Sequence, residues 1–482
     1  MKPVCFYLHL HYYLYQKQVS YRSGIRMLND KTINSQTVYT ALIIHLFLLV
    51  IVESGMSQQL TNIGYGWAQN SVNTVIFRKN SVVYYKGDQY AAYYDSTGTI
   101  VLAKRKYGDT TWILNRTQYA GNIYDAHCSI SIMIDGNGLL HMAWGQHDNP
   151  LNYCTGSFPG SIIMNNKSVM TGIQEDSVSY PEFYKLSNGD LLFFYRQGRS
   201  GKGNLIINKY HVAKKKWERL QSNLIDGESQ RNAYWQAFID NNNIIHVSWV
   251  WRETWDVETN HDLCYAKSTD GGITWQKSTG EIYQLPISAS TAEIAWHIPV
   301  KSELINQTSM HADKESNPFI VSYWRAESAD VPQYHLVYNI NGCWKRMKIS
   351  DRSTNFSLSG GGTKKIPVSR PQLLVEESEH ALHVYMIYRD SEHGNKICIN
   401  YNKNIKEDKW FTSLVSDFPV NSWEPTYDSE LWKERKALSI FVQNVGQGES
   451  ETLEEMHSQP VYILDIMNIP EPIDSFSTEN KH

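Results

Sequence analysis

Cysteine is scarce in this chain: six in 482 residues, with no CxxC pair. That argues against a disulfide framework; Cys128 and Cys154 can pair, but no sequence mark requires it. An excess of positive charge is also missing. The net charge of −4 leaves no basic field for nucleic acid. Long apolar runs are absent too. The strongest, ALIIHLFLLVIV at 41–52, has 12 residues, short of the roughly 20 that span a bilayer. The small and polar ESGMSQQ that follows makes it read as a signal-peptide core and cleavage region. A start at Met27 would give the preceding segment a more ordinary length. A secreted, periplasmic or cell-surface protein is expected, with an uncleaved leader as the alternative and as its one route to a membrane. No long segment carries the 3.6-residue apolar period of a helix.

Aromatic residues are abundant, with 31 Tyr and 15 Trp. They favour pleated strands and offer flat apolar faces on which sugars bind. One unit recurs: a strand, an acidic or polar turn with Gly or Asn, an alternating apolar strand, a charged loop and a third strand. Seven copies are read, at 88–114, 129–156, 180–220, 234–275, 308–347, 370–412 and 424–466. Each is the size of a propeller blade. The expected fold is all-β, a seven-bladed β-propeller closed by pairing the two chain ends, with VNTVIF (72–77) as the candidate closing strand. The expected division is a leader at 1–56, a propeller at 57–467 and a polar tail at 468–482. Ser268–Trp275, STDGGITW, matches the Asp-box hairpin of sialidase-like propellers: Asp270 caps the turn, the glycines permit positive φ and Trp275 packs inward.

The chemistry-bearing residues lie in copies two to four. His127 and His147 are 20 residues apart, Tyr180 precedes Arg196 by 16, and Tyr234 begins the next copy. Equivalent positions of adjacent blades converge on one face of a propeller, so these five can share a groove. Imidazole, phenol and guanidinium are what proton abstraction beside a carboxylate requires. Arg196 would hold a uronate carboxylate through two parallel hydrogen bonds and stabilise the enolate-like transition state. His127 and Tyr180 are the expected acid–base pair, with the division of steps between them open. His147 and Tyr234 would orient the sugar or that pair. Arg199, Lys202 and Arg252 would bind sulfate or a neighbouring uronate. An aromatic–Arg pair also recurs at Arg252, Arg325 and Arg389, so an arginine there can equally serve contacts between blades. Asn115 and Asn306 begin N-glycosylation patterns.

Over about 60–467 the chain resembles the BNR-repeat family that includes the ulvan lyases of polysaccharide lyase families 24 and 25. The resemblance rests on DAHCSISIMIDGNGLLHMAWGQHDNPLNY, SYPEFYKLSNGDLLFFYRQGRSGKGN and NAYWQAFIDNNNIIHVSW. It is closer to family 25, whose His-to-His and Tyr-to-Arg spacings look undisturbed here. It implies a seven-bladed propeller that cleaves a sulfated, uronate-containing polysaccharide by β-elimination. His127, His147, Tyr180, Arg196 and Tyr234 fall where those enzymes keep active-site residues. It also implies a structural metal, zinc, for which His246, Cys264, His311 and His383 are the expected ligands and His261, His297 and His335 alternatives. The elimination itself needs no cofactor. The expected partner is an anionic polysaccharide, and the expected state a monomer. Two other readings stay open. A sialidase-like hydrolase would need three arginines on one carboxylate, a set not visible in the sequence. A non-catalytic glycan-binding propeller would use the aromatics alone.

Overall fold

The computed structural model describes residues 58–306, 309–378, 381–467 and 469. The expected leader, its apolar run and nearly all of the expected tail lie outside these residues. Seven antiparallel sheets form a ring of blades. Blade 1 holds Val82–Tyr85, Asp88–Tyr94, Thr99–Lys106 and Ile113–Ala120; blade 2 holds Ile130–Ile134, Leu140–Trp144 and Tyr153–Thr155. Blade 3 holds Val178–Lys185, Leu191–Gln197, Asn204–His211 and Lys216–Ile225. Blade 4 holds Asn232–Ile239, Ile245–Arg252, Asn260–Ser268 and Glu293–Trp296. Blade 5 runs from Ser309–Ala312 to Cys343–Lys348, and blade 6 from Gln372–Glu377 to Phe411–Leu414. Blade 7 holds Thr426–Tyr427, Leu438–Gln443 and Gln459–Ile466, and its fourth strand is Gln58–Gly66 from the start of the described chain.

The closing strand is therefore not 72–77. Gln58–Gly66 pairs antiparallel with Gln459–Ile466, from Gln58 opposite Ile466 to Gly66 opposite Gln459. Closure removes a free sheet edge. Residues 72–77 instead form turns packed among several blades. The Ile76 amide donates to Glu424 of the blade 6–7 connection at 2.8 Å, Phe77 stacks on His127, and Asn80 donates to the Phe183 carbonyl of blade 3. The sequence there alternates poorly, and its apolar residues pack against several blades at once.

A local rule builds the blades. The turn between the second and third strands of blade 1 opens with Asp95, and that between the first two strands of blades 2, 4 and 5 opens with Asp135, Asp240 or Asp313. Each carboxylate accepts the amide four residues on, at 3.1, 2.9, 2.8 and 2.7 Å. Three residues after each Asp the chain takes positive φ, at Gly98, Gly138, Asn243 and Ser316. Apolar faces then pack blade on blade. One cluster joins Ile63, Phe441 and Ile463 of blade 7 to Val82, Ala91 and Val101 of blade 1, across the closure. The Asp box folds as expected: Asp270 accepts from the Ile273 and Thr274 amides, and Trp275 is fully buried.

Candidate functional site

On one face, around Phe77, a cavity of about 290 Å³ is lined by His127, His147, Tyr180, Arg196, Tyr234 and Arg252, among others. The backbone is shaped to deliver these groups. His127 sits in a turn before blade 2, where Asp125 accepts its amide at 2.9 Å. His147 belongs to a three-residue strand that pairs with the first strand of blade 3, through Ser179, and so serves that blade rather than ending blade 2. Tyr180 lies at a bulge in the pairing of Val178–Lys185 with Leu191–Gln197, with φ of 57°. A tyrosine in the left-handed region, followed by proline, is strained backbone of the kind that collects at functional sites.

The two histidines share one carboxylate. Asp125 Oδ1 lies 2.9 Å from His127 Nδ1, and Asp125 Oδ2 lies 2.6 Å from His147 Nδ1. Their rings stack with centroids 4.1 Å apart. Glu451, from the loop between the second and third strands of blade 7, adds a second carboxylate 3.2 Å from His127 Nδ1. It also accepts the Ala126 and Thr363 amides at 2.9 and 2.7 Å. Nδ1 of both rings therefore carries a proton. Burial works against charge on His127, but the hydrogen bonds it donates to Asp125 and Glu451 outweigh it and hold the imidazole up at about 9. Burial likewise opposes charge on Glu451, yet His127 brings it down to about 2. His147 is lowered, by burial and then by the charge on His127.

Tyr180 stands between His127 and Tyr234, with ring centroids 6.0 and 6.1 Å away, and the Arg196 guanidinium lies 4.9 Å over its ring. Arg196 is 2% exposed; it donates to Ser179 Oγ at 2.9 Å and to the Gly198 carbonyl at 3.1 Å. Its Nη1 is buried without a partner. A buried, unpaired guanidinium nitrogen is costly unless a ligand meets it. The tyrosines behave as a pair. Burial resists ionisation of Tyr234, but Arg252 and Arg196 override it and bring the phenol down to about 7. Tyr180 is raised, by burial and then by Tyr234.

The structure thus brings His127, His147, Tyr180, Arg196 and Tyr234 together. Arg199 does not line the cavity; its side chain is 85% exposed and pairs with Asp148. Arg252, Arg370, Phe77, Trp255 and Lys364 do line it. Arg196, Arg252 and Arg370 are three cavity arginines that sequence reading did not assemble. Arg370 is held by both oxygens of Glu424, at 2.7 Å each. The other strand-end arginines are tied off: Arg325 to Glu303, and Arg389 to backbone carbonyls including that of Ile366. Asp125 had a signal, two residues before His127. Glu451, 324 residues further on, had none.

The expected metal ligands are not brought together: among the described residues they form no group with ligand atoms in mutual reach. Both nitrogens of His246 are engaged, Nδ1 by Tyr265 at 2.7 Å and Nε2 by Asp240 at 3.1 Å. His141 of blade 2 repeats that arrangement with Tyr153 and Asp135. Cys264 is buried in the core of blades 3 to 5. His311 faces Phe238 and the Ala312 carbonyl, and His383 pairs weakly with Ser378 and Tyr385. Zinc prefers a tetrahedral set of such ligands, and these four do not fit one. Asp125, His127 and His147 do lie within mutual reach, but Nδ1 of each ring and both Asp125 oxygens already satisfy one another.

Among solved structures, the polysaccharide lyase Uly1 is similar, with a TM-score of 0.62 at 14% identity, covering 86% of this chain and 94% of that one. The PL25 ulvan lyase gives 0.61 at 14% identity, over 85% and 96%. It is also known bound to -[GlcA(1-4)Rha3S]-, and that structure gives 0.61 at 14% identity, over 84% and 96%. At this identity the likeness establishes a shared propeller fold. No curated protein matches. The model of the BNR repeat-containing family matches residues 88–352, more than half of the chain, which takes in the first five repeats and every expected site residue except His383. The chain belongs to the BNR repeat-containing family.

Proposed function

We propose that this protein is a secreted polysaccharide lyase that cleaves a uronate-containing, sulfated polysaccharide, ulvan or a close relative, by β-elimination. The observation that carries the reading is the unpaired Nη1 of Arg196, buried over Tyr180 in a cavity that also holds a cationic histidine and a coupled tyrosine pair. The uronate carboxylate meets Arg196, with the His127 imidazolium as a second positive charge. Together they stabilise the negative charge that builds as C5 loses its proton. His127 is thus a poor base at neutral pH, which shifts proton removal to the tyrosines. Tyr234, lowered by Arg252 and Arg196, takes the C5 proton as phenolate. Tyr180 keeps its proton and gives it to the departing oxygen as the C4–O bond breaks and the C4–C5 double bond forms. No oxidant or reductant enters. His147, neutral and fixed by Asp125, orients the sugar.

The test is near-ultraviolet absorbance of the unsaturated uronate during incubation with ulvan, with heparan sulfate, chondroitin sulfate and alginate alongside. A rise on ulvan that Tyr180→Phe and Arg196→Ala abolish supports the reading, and a flat trace on every uronate polymer overturns it. The three cavity arginines favour a second reading, a sialidase-like hydrolase. Such an enzyme needs a carboxylic acid that is protonated at neutral pH. Glu451 and Asp125, the carboxylates behind the histidines, are instead both held low. Reducing ends released without absorbance would favour the hydrolase.

A further inference from the structure

Trp255 is the least expected member of the cavity wall. It lines the cavity, yet it is 65% exposed. A lone exposed apolar side chain is ordinary; what sets Trp255 apart is how firmly its turn is held and what lies behind its ring. It sits in the turn after the second strand of blade 4. Arg252, whose guanidinium also lies 5.5 Å over the Tyr234 ring, donates to the Trp255 carbonyl. Next to it, Asp256 accepts the Gly360 amide at 2.6 Å, and the Val257 amide donates to the Gly360 carbonyl at 3.0 Å. The ring rests on Gly361, where a Cβ would come within 3.0 Å of Trp255 Cε3. The triple-glycine loop between blades 5 and 6 is thus a backing plate for one indole.

That loop reaches the chemical groups as well. Ser450 donates to the Gly361 and Thr363 carbonyls at 3.1 and 3.0 Å, and the Thr363 amide donates to Glu451, which holds His127. The indole and the imidazole are therefore set in register by one connected support. An aromatic face fixed in advance costs little entropy when a ligand covers it. The face is uncharged and apolar, so it suits the C–H side of a sugar ring and not a carboxylate.

We propose that Trp255 is the stacking platform of a subsite for the C–H face of the sugar adjoining the uronate, making the site read a polymer rather than an isolated uronate. This rests on the lyase reading for the position of the uronate. The experiment measures initial rates on ulvan over a range of concentrations for the wild type, Trp255→Ala, Trp255→Phe and Gly361→Ala. Retention of the same proteins in gels containing ulvan is scored separately, and thermal melts check that each variant is folded. Trp255→Ala is expected to raise KM about three- to tenfold with kcat nearly unchanged, because stacking is binding present in ground and transition states alike. Trp255→Phe should keep most of the affinity, and Gly361→Ala should lose part of it by tilting the ring. The two readings fail separately. Product formation with KM and retention unaltered in Trp255→Ala overturns the platform and leaves the lyase. Trp255-dependent retention without any product overturns the lyase and leaves the platform. No retention of the wild type and no product overturns both.

Discussion

His127 shows how far single residues shape this site. Two carboxylates on one Nδ1 hold its imidazole up at about 9, while the arginines bring Tyr234 down to about 7. Activity that needs the phenolate and the imidazolium together rises through about 7 and falls through about 9, so kcat/KM should be bell-shaped between them. Glu451→Gln removes one of the two carboxylates. The upper limb should move down by about one unit while the lower limb stays; an unmoved upper limb would separate Glu451 from the chemistry. The same cluster bears on stability. The contribution from His127, whose pKa is raised on folding, is complete below its ordinary value near 6.5 and is lost as pH rises through about 9. That from Glu451, whose pKa is depressed, is complete above the ordinary carboxylate range and is lost as pH falls through about 2. Arg196→Lys keeps the charge but not the planar fork, and should cost about 10²- to 10³-fold in kcat, measured at saturating polymer. Residues in adjacent blades were legible from repeat position: Tyr180, Arg196 and Tyr234 meet as their places in the copies imply, with His127 in the turn before blade 2, whereas His147 arrives on a strand of blade 3 and not of blade 2. Glu451 was not, because ring closure, rather than any local pattern, carries it to His127.

At the level of the element, the blade explains His246 better than a metal does. IDGNGLLHMAW in blade 2 and IDNNNIIHVSW in blade 4 set a turn Asp six residues before a second-strand His. In both, the third strand supplies the tyrosine that occupies the other ring nitrogen. His246→Ala would leave Asp240 and Tyr265 with buried, unmet hydrogen-bonding groups. A loss of about 1–3 kcal/mol of stability is expected, read from denaturant midpoints, with kcat of the folded protein unchanged and no rescue by added zinc. Rescue by zinc would restore the metal reading. The motif was visible in the sequence, but a pattern of Asp, His and Tyr spread over three strands looks like isolated polar residues until the turn and the pairing register are known. The strand-end arginines make the same point: four copies look alike, and only the surroundings separate the two that face the cavity from Arg325 and Arg389.

The whole molecule depends on a closure that joins the two ends of the described chain. Gln58–Gly66 is the outer strand of blade 7, and the buried pair of Arg105 and Asp465, 2.6 Å apart, ties blade 1 to blade 7 beside it. Sequence reading gave seven blades and a closure between the chain ends, but chose 72–77 for its apolar residues. Those residues pack among several blades, while the true closing strand reads QQLTNIGYG, half exposed and only weakly patterned because it lies at the outer edge. Position in the ring thus outweighs hydrophobicity in deciding which segment closes it. Glu451 lies in the loop that leads into Gln459–Ile466, so the closing strand steadies the segment that supplies a carboxylate to His127. Deleting 58–66 should therefore do two things. It exposes the edge of Gln459–Ile466, which promotes association through that edge, measurable as concentration-dependent light scattering. It also loosens the Glu451 loop, so the remaining monomer should show the same downward shift of the upper pH limb as Glu451→Gln. Association with an unchanged pH profile would mean that Ala126, His127 and Thr363 alone hold Glu451 in place, and that closure serves stability without serving the site.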